Sequence, residues 1–449
     1  MDASANASIP KNDKKTIRAW AFFDWANSAY ALVITTAIFP LYFLAIAPDE
    51  INILGTNYSD TSVLSYAISL SYILIALIAP LLGGIADAGG KRLRFLKIFT
   101  IIGSLSCMGL WWFTEDPVGL LSSIDFMWIG LVAFVVSTIG YAGSLIFYDA
   151  FLPAITSKDN FDKVSAMGYA YGYIGSVLLL VFILFLSERP ELFGMDAEAG
   201  SRPFRIGFIL VGIWWLGWSQ YTFRHLPKDT KSDGEKTLLK EGYQEMKKVF
   251  GELKFKPNLR RFLLAFFFYS AGVNTVIYLA TSFADKELQF TKTENIITVL
   301  ILQIVAVVGA IGFARYAKAK GSKRAIVIMI IIWMLICCAA ALVTTKPVFF
   351  LLAFFVGLVL GGLQSSSRAS YSKLISEEDE YNSYFSFYDL LYYMSIVFGT
   401  FAFGLVNQLT DNLRYSVLIL AVFFVIALII FSKVEIQHEK VPLLASDKM

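Results

Sequence analysis

About a dozen apolar runs of membrane length, each set off by a polar or charged loop, dominate this chain and leave it few ways to fold. A run of roughly 20 apolar residues spans a bilayer as a helix. In hydrocarbon every backbone N–H and C=O has to be satisfied within the segment, so each run is expected to be α-helical. The windows fall at about 19–45, 63–85, 95–114, 126–148, 164–186, 205–224, 260–283, 295–315, 325–345, 348–368, 383–406 and 413–433, here spans 1 to 12. The expected fold is an all-α polytopic membrane protein with twelve transmembrane helices in two six-helix halves. Its divisions are a cytoplasmic tail 1–18, a first half 19–224, a linker 225–259, a second half 260–433 and a cytoplasmic tail 434–449.

Composition agrees: 57% of residues are hydrophobic and 16% charged, against about 25% charged in a soluble domain. The net charge of +3 comes without a basic stripe, so nucleic acid is not an expected partner. Cys107, Cys337 and Cys338 lie in apolar runs without CxxC spacing, so neither a disulfide framework nor a metal site is expected, and no cofactor is implied. The first eighteen residues do not read as a cleavable signal, and Asp2 stands where myristoylation needs glycine, so span 1 is expected to direct insertion.

Orientation follows from the cations. With both termini inside, 31 of the 38 Lys and Arg fall on cytoplasmic segments, as the positive-inside bias requires. The chain is thus expected in a cell (inner) membrane, multi-pass, with the lipid bilayer as its surroundings and as a monomer. In the linker, Leu239, Tyr243, Met246, Phe250 and Leu253 recur at helical spacing between charges, reading as an amphipathic helix on the cytoplasmic face or as a charged linker.

After span 2 the chain reads Gly83-Gly84-Ile-Ala-Asp87-Ala-Gly89-Gly90-Lys91-Arg92. Gly83 permits close helix approach, and Gly89 and Gly90 permit the φ > 0 turn of a short loop. Asp87 sits at a helix C-terminus, where the macrodipole disfavours it, and so must gain from a neighbour. This pattern resembles the signature loop of the major facilitator superfamily. The resemblance implies a cytoplasmic gate in which Asp87 meets the start of span 11, near Ser383, together with a basic side chain. The corresponding loop after span 8, Gly312 to Arg324, keeps its cations and lacks the acid.

Three stretches narrow the resemblance: Asp24-Trp-Ala-Asn-Ser-Ala-Tyr30 running on to Ile34-Thr-Thr-Ala-Ile-Phe-Pro40, Gly168-Tyr-Ala-Tyr-Gly-Tyr-Ile-Gly175, and Gly361-Gly-Leu-Gln364-Ser-Ser-Ser-Arg368. Together they resemble the vacuole-effluxer-like family, whose fungal members are associated with amino-acid export from the vacuole. Where that family has Asp-Gly in span 7 and Gly-Lys in span 11, this chain has Ala271-Gly272 and Tyr392-Tyr393. The resemblance implies that spans 1, 4, 7 and 10 line a central cavity, flanked by 2, 5, 8 and 11.

Several of those spans (1, 4, 5, 7 and 11) carry polar stripes at helical spacing, whereas spans 3, 6, 9 and 12 are nearly all apolar. The candidate cavity residues are Asn27, Ser28, Thr35, Tyr141, Ser144, Tyr148, Tyr169, Tyr173, Asn274, Tyr278, Gln364 and Tyr388. Asp24, Asp149, Arg368 and Asp389 sit toward the cytoplasmic ends and are expected to serve coupling or the inner gate. Asp24 is open between substrate or proton coupling and gate structure, with the N-terminal macrodipole as a reason for its position. Arg368 is expected to snorkel toward the cytoplasm. With no other cation near a span interior, a strongly anionic solute is disfavoured.

The leading reading is a secondary transporter of a small neutral, zwitterionic or weakly cationic solute, with an amino acid moved outward as the first candidate, working by alternating access and open to proton coupling. The alternative is a carrier of another organic metabolite or a drug-like cation. A polytopic enzyme would need clustered His, Asp or Glu, and ATP drive a phosphate-binding loop; the sequence has neither. A sensor or scaffold would carry an added soluble domain, for which the linker is too short.

Overall fold

The computed structural model describes residues 10–53, 55–114, 123–195, 200–229, 238–376, 381–410 and 412–436. Most of the two tails and linker residues 230–237 lie outside the described residues. Span 1 is Lys14–Ile46, span 2 Asp60–Gly89, span 3 Arg92–Gly109, span 4 Ser123–Ala150, span 5 Phe161–Glu188 and span 6 Arg202–His225. Spans 7 to 12 are Pro257–Leu288, Lys292–Lys320, Ser322–Leu342, Lys346–Leu374, Tyr381–Thr410 and Leu413–Ser432. Among the described residues, eleven helices are long and apolar enough to cross a bilayer. Span 6, at 24 residues, is long enough too; Trp214, Trp215, Trp218 and Tyr221 lower its hydropathy.

Span 1 starts earlier than its apolar window. Asp13 accepts from Thr16 N and Thr16 Oγ1, both at 2.8 Å, and so caps the helix. These bonds hold the Asp13 carboxyl below its usual range. Asp24 therefore lies about 15 Å along the helix from Lys14, beyond the first turn where the N-terminal macrodipole acts. That corrects the cap explanation of Asp24.

From Tyr30 to Ile38 span 1 becomes a π-helix, then resumes as an α-helix over Phe39–Ile46. Thr35 Oγ1 donates to Tyr30 O at 3.3 Å and Thr36 Oγ1 to Ala31 O at 2.9 Å, reaching carbonyls five residues back. Pro40, just beyond, has no N–H to return to the helix. A short antiparallel hairpin, Glu50–Ile53 with Thr56–Ser59, joins spans 1 and 2.

Spans 1 to 6 pack mainly on one another, as do spans 7 to 12. Two seams join these groups: spans 2 and 4 against span 11, and span 5 against spans 8 and 10. Spans 8 and 10 approach backbone to backbone, since a Cβ on Gly361 would lie 2.0 Å from Ala306 O.

The linker contains a helix, Leu238–Glu252, packed on span 2 and touching span 11. A Cβ on Gly84 would lie 2.2 Å from Gly242 O, so only glycine allows this approach. Ahead of that helix, Asp229 Oδ1 and Oδ2 accept from Leu93 N at 2.7 Å and Arg94 N at 2.9 Å, capping span 3 from outside its own sequence. Partial burial raises the Asp229 carboxyl, while its two backbone donors pull it back. Asp229→Ala is expected to cost about 0.5–2 kcal/mol, as lost caps do. A melting curve in detergent checks this, and an unchanged midpoint would show that the cap is dispensable.

Candidate functional site

A cavity of about 200 Å³ lies between the two groups of spans, below the roughly 300–1,000 Å³ of drug-sized pockets. Ser28, Thr35, Tyr141, Tyr169, Tyr173, Asn274, Tyr278, Gln364 and Tyr388 lie on its wall, with Asp24, Asp149, Arg368 and Asp389. The π-helical stretch supplies Ala31, Leu32, Thr35 and Thr36 to the same wall, so the widened backbone faces the cavity.

Three expected cavity residues sit elsewhere. Asn27 is fully buried, and neither of its amide atoms has a hydrogen-bond partner among the described residues. At about 100° per residue, Ser28 follows Asp24 by roughly +40° around the helix and Asn27 by roughly −60°. The cavity ridge runs through Asp24, Ser28, Ala31, Leu32 and Thr35, which turns Asn27 away. Ser144 is buried and donates to Tyr141 O of its own helix at 2.7 Å. Tyr148 stacks on Trp20 at 4.6 Å between ring centroids and donates to Asp24 Oδ2 at 2.7 Å, so it supports Asp24 from behind.

Arg368 is the largest departure from expectation. It does not snorkel; it is 1% exposed and joins span 10 to spans 1, 4 and 5. Nη1 donates to Asp149 Oδ1 at 2.9 Å and Nη2 to Asp24 Oδ2 at 3.3 Å. Nε donates to Ser165 Oγ and Nη2 to Ser165 O, both at 3.0 Å. The guanidinium also lies 4.3 Å from the Tyr169 ring centroid and 4.7 Å from that of Trp20, the contact ring faces offer cations. Span 5 comes this close because of its glycines. A Cβ on Gly168 would lie 2.5 Å from Asp24 Oδ2, and one on Gly172 2.4 Å from Ser28 Oγ.

Asp389 was expected to meet Asp24 and Asp149 at a common gate. It lies on the same cavity wall as those two, near enough to Asp149 and Arg368 to feel their charges, but it takes no hydrogen bond from Arg368 and its Oδ2 is buried without a hydrogen-bond partner. The two carboxylates that meet are Asp24 and Asp149, because the planar guanidinium fork can serve both.

At the linker end of the bundle, Asp87 accepts from Ser383 N at 2.7 Å and from Asn382 N at 3.3 Å, at the start of span 11. A Cβ on Gly83 would lie 2.7 Å from Asn382 O. Arg92 donates from Nε to Asn382 Oδ1 at 2.9 Å and from Nη1 to Ala150 O at 3.0 Å. Gly90 takes the left-handed turn at φ 57°, whereas Gly89 remains helical; Lys91 stands at the N-cap of span 3.

The loop after span 8 has not simply lost its acid. Ser322 Oγ donates to Asp162 Oδ1 and Oδ2 at 3.3 Å, and Lys373 pairs with Asp162 and donates to Ser322 Oγ at 2.8 Å. The carboxylate comes from the start of span 5, so each seam carries one acid, offered from the first group of spans in both cases.

Above the Arg368 layer, Tyr173 OH donates to Gln364 Oε1 at 2.6 Å, joining spans 5 and 10. Tyr72 and Tyr278 share a hydrogen bond at 3.0 Å between spans 2 and 7. Tyr393 OH donates to Ala142 O at 3.0 Å between spans 11 and 4. Tyr72, Tyr269, Gln303 and Tyr393 also lie on the wall, and the cavity candidates read from sequence omitted them. Gln303, an amide in the apolar run of span 8, carried a signal in its cost to a membrane helix. The tyrosines carried none.

This site, held between two helix groups, accompanies a fold shared with known carriers. The structure of the proton:xylose symporter XylE with 6-bromo-6-deoxy-D-glucose superposes with a TM-score of 0.69 at 14% identity, covering 94% of this chain and 96% of that one. A bacterial homologue of the iron transporter ferroportin, in its outward-facing state, gives 0.65 at 14% identity, covering 93% and 98%. The protein is a transporter of the major facilitator class, not an enzyme. Residues 12–442 match the family described as vacuole effluxer Atg22 like, and the chain belongs to that family. An uncharacterized MFS-type transporter of Bacillus subtilis, YxiO, is 29% identical over 94% of this chain and 95% of its own. Autophagy-related protein 22 of Kluyveromyces lactis is 21% identical over 98% and 97%.

Proposed function

We propose that this protein exports a small zwitterionic or weakly cationic organic solute, an amino acid by preference, by alternating access coupled to protons. The observation that carries the reading is a cavity lined from both groups of spans and crossed by the Arg368 ion pairs. Opening toward the linker end requires those pairs, and the Asp87 and Asp162 contacts, to separate. Protonating Asp24 or Asp149 would remove part of the charge that holds Arg368, which gives proton coupling a physical route. Gate and coupling are then one device.

The solute class rests on charge. Three carboxylates and one guanidinium line the wall, and Arg368 is already engaged by two of the carboxylates. A strongly anionic solute would meet no free cation there among the described residues. The family description as effluxers supports the outward direction. The distribution of Lys and Arg supports a cytoplasmic linker and termini in a cell membrane. The enclosure of the cavity by one chain supports action as a monomer.

Counterflow in proteoliposomes, with amino acids, short peptides and organic cations under an imposed pH gradient, tests the reading. Exchange of at least one zwitterion or amine, driven by the gradient, is the expected result; movement of dicarboxylates or sugar phosphates alone would overturn it. Asp87→Asn and Asp162→Asn each weaken a charge-assisted contact worth about 1.5–3 kcal/mol. The balance between the two gate states should shift by roughly tenfold to a hundredfold. Exchange is expected to slow with solute preference unchanged; an altered preference in the same assay would place either residue in the binding site.

A further inference from the structure

The third carboxylate on the cavity wall has no task in the Arg368 network. Asp389 is 4% exposed, and its Oδ2 is buried without a hydrogen-bond donor. An ionised carboxylate in such a place is costly unless something positive reaches it. Four of the five Arg368 N–H groups are directed at other residues: Nη1 serves Asp149, Nη2 serves Asp24 and Ser165 O, and Nε serves Ser165 Oγ, and no hydrogen bond reaches Asp389 Oδ2. Among the described residues no other Lys, Arg or His lines the cavity.

Two hydroxyls close to it in the chain are engaged elsewhere. Tyr392 and Tyr393 follow Asp389 at i+3 and i+4, on the same helix face. Tyr392 OH donates to Asn274 Oδ1 at 3.0 Å, and Tyr393 OH to Ala142 O at 3.0 Å. Their rings remain on the wall beside those of Tyr388 and Phe266, the latter two stacked at 4.1 Å between centroids. A bare carboxylate among ring faces matches a group that carries positive charge and several N–H donors.

We propose that Asp389 receives the ammonium group of the transported solute, with the rings of Phe266, Tyr388 and Tyr392 around it, and so selects amines over their uncharged counterparts. This rests on the transporter reading above and adds the contact that sets its solute class. The Arg368 pairs then belong to the gate, and Asp389 to recognition.

The test uses the purified full-length protein, with thermal-shift and tryptophan-fluorescence titrations against amino acids and their α-hydroxy counterparts. At least one amino acid is expected to bind the wild type, with its hydroxy counterpart about tenfold to a hundredfold weaker. Asp389→Asn should lose affinity for the amine by a similar factor and erase the preference over the hydroxy counterpart. Asp389→Glu should restore the preference. Asp389→Asn should also melt no lower than wild type, because it keeps the side-chain shape and removes a buried carboxyl whose Oδ2 no donor reaches, and this melting curve separates lost binding from lost folding. Equal amine affinity in Asp389→Asn and wild type would overturn the role of Asp389 and leave the transporter reading standing. Binding of the hydroxy compounds but of no amine would overturn the proposed solute class as well. A melting point that falls together with amine affinity and is not restored by Asp389→Glu would make Asp389 structural and overturn the proposal.

Discussion

Arg368→Met is expected to lower the stability of the protein by about 3–5 kcal/mol and to abolish exchange, the largest single-residue effect anticipated here. The substitution keeps most of the side-chain volume but leaves Asp24 and Asp149 buried without their shared cation. Such orphaned charges cost far more than the pair contributes when intact. It also cuts the link from span 10 to spans 1, 4 and 5. Melting in detergent and counterflow in proteoliposomes measure the two effects separately. Adding Asp24→Asn and Asp149→Asn to Arg368→Met should recover most of the lost stability, because a neutral triad has no desolvated charge to satisfy. It should not recover exchange, since the gate would then have nothing to release. A wild-type melting point for Arg368→Met alone would mean that the three groups are not coupled.

Gly168→Ala is expected to nearly abolish exchange at a modest cost in stability, about 1–3 kcal/mol as for other overpacked sites. The added Cβ would lie 2.5 Å from Asp24 Oδ2 and 2.9 Å from both Arg368 Nη2 and Tyr148 OH. These are the ends of side chains and can move, but only by breaking the bonds that define the network. The substitution thus spares the backbone and removes the geometry. Gly217→Ala is the control: a Cβ there meets nothing within 4 Å, and alanine favours a helix over glycine by about 1 kcal/mol. Exchange and melting point should be unchanged or slightly improved. Gly168→Ala with wild-type exchange would show that the close contact of spans 1 and 5 has slack.

Loss of function at Arg368 and at Gly168 thus traces to one layer, where a cation from the second group of spans is held by carboxylates from the first. Asp389 borders that layer without a hydrogen bond from its cation, and its unpartnered oxygen is the feature that separates recognition from gating on one wall.

How much of this could be read in advance differs from element to element. The spans, their loops and the glycine-rich turn at Gly90 follow from local rules, because hydrophobic length and chain punctuation are properties of short windows. Asp87 could be assigned a need for donors from its place at a helix end. The same local reasoning placed Asn27 on the cavity and gave Asp24 a helix cap. Both expectations failed through features outside the window: the helix begins at Lys14, and its cavity-facing ridge turns toward Ser28.

By itself the sequence determined the membrane-spanning class, the order of the helices, the polar character of spans 1, 4, 5, 7, 10 and 11, and the bias of Lys and Arg toward one side. All of these depend on what each segment costs to transfer into hydrocarbon. Only the tertiary structure decided which charges meet. Arg368 lies 344 residues from Asp24 and 219 from Asp149; Asp162 lies 160 from Ser322. Contacts at that separation are set by how helices pack, and helix packing turns on shape as much as on charge. The same packing left Asp389 Oδ2 without a donor, because the fork is turned toward Asp24, Asp149 and Ser165.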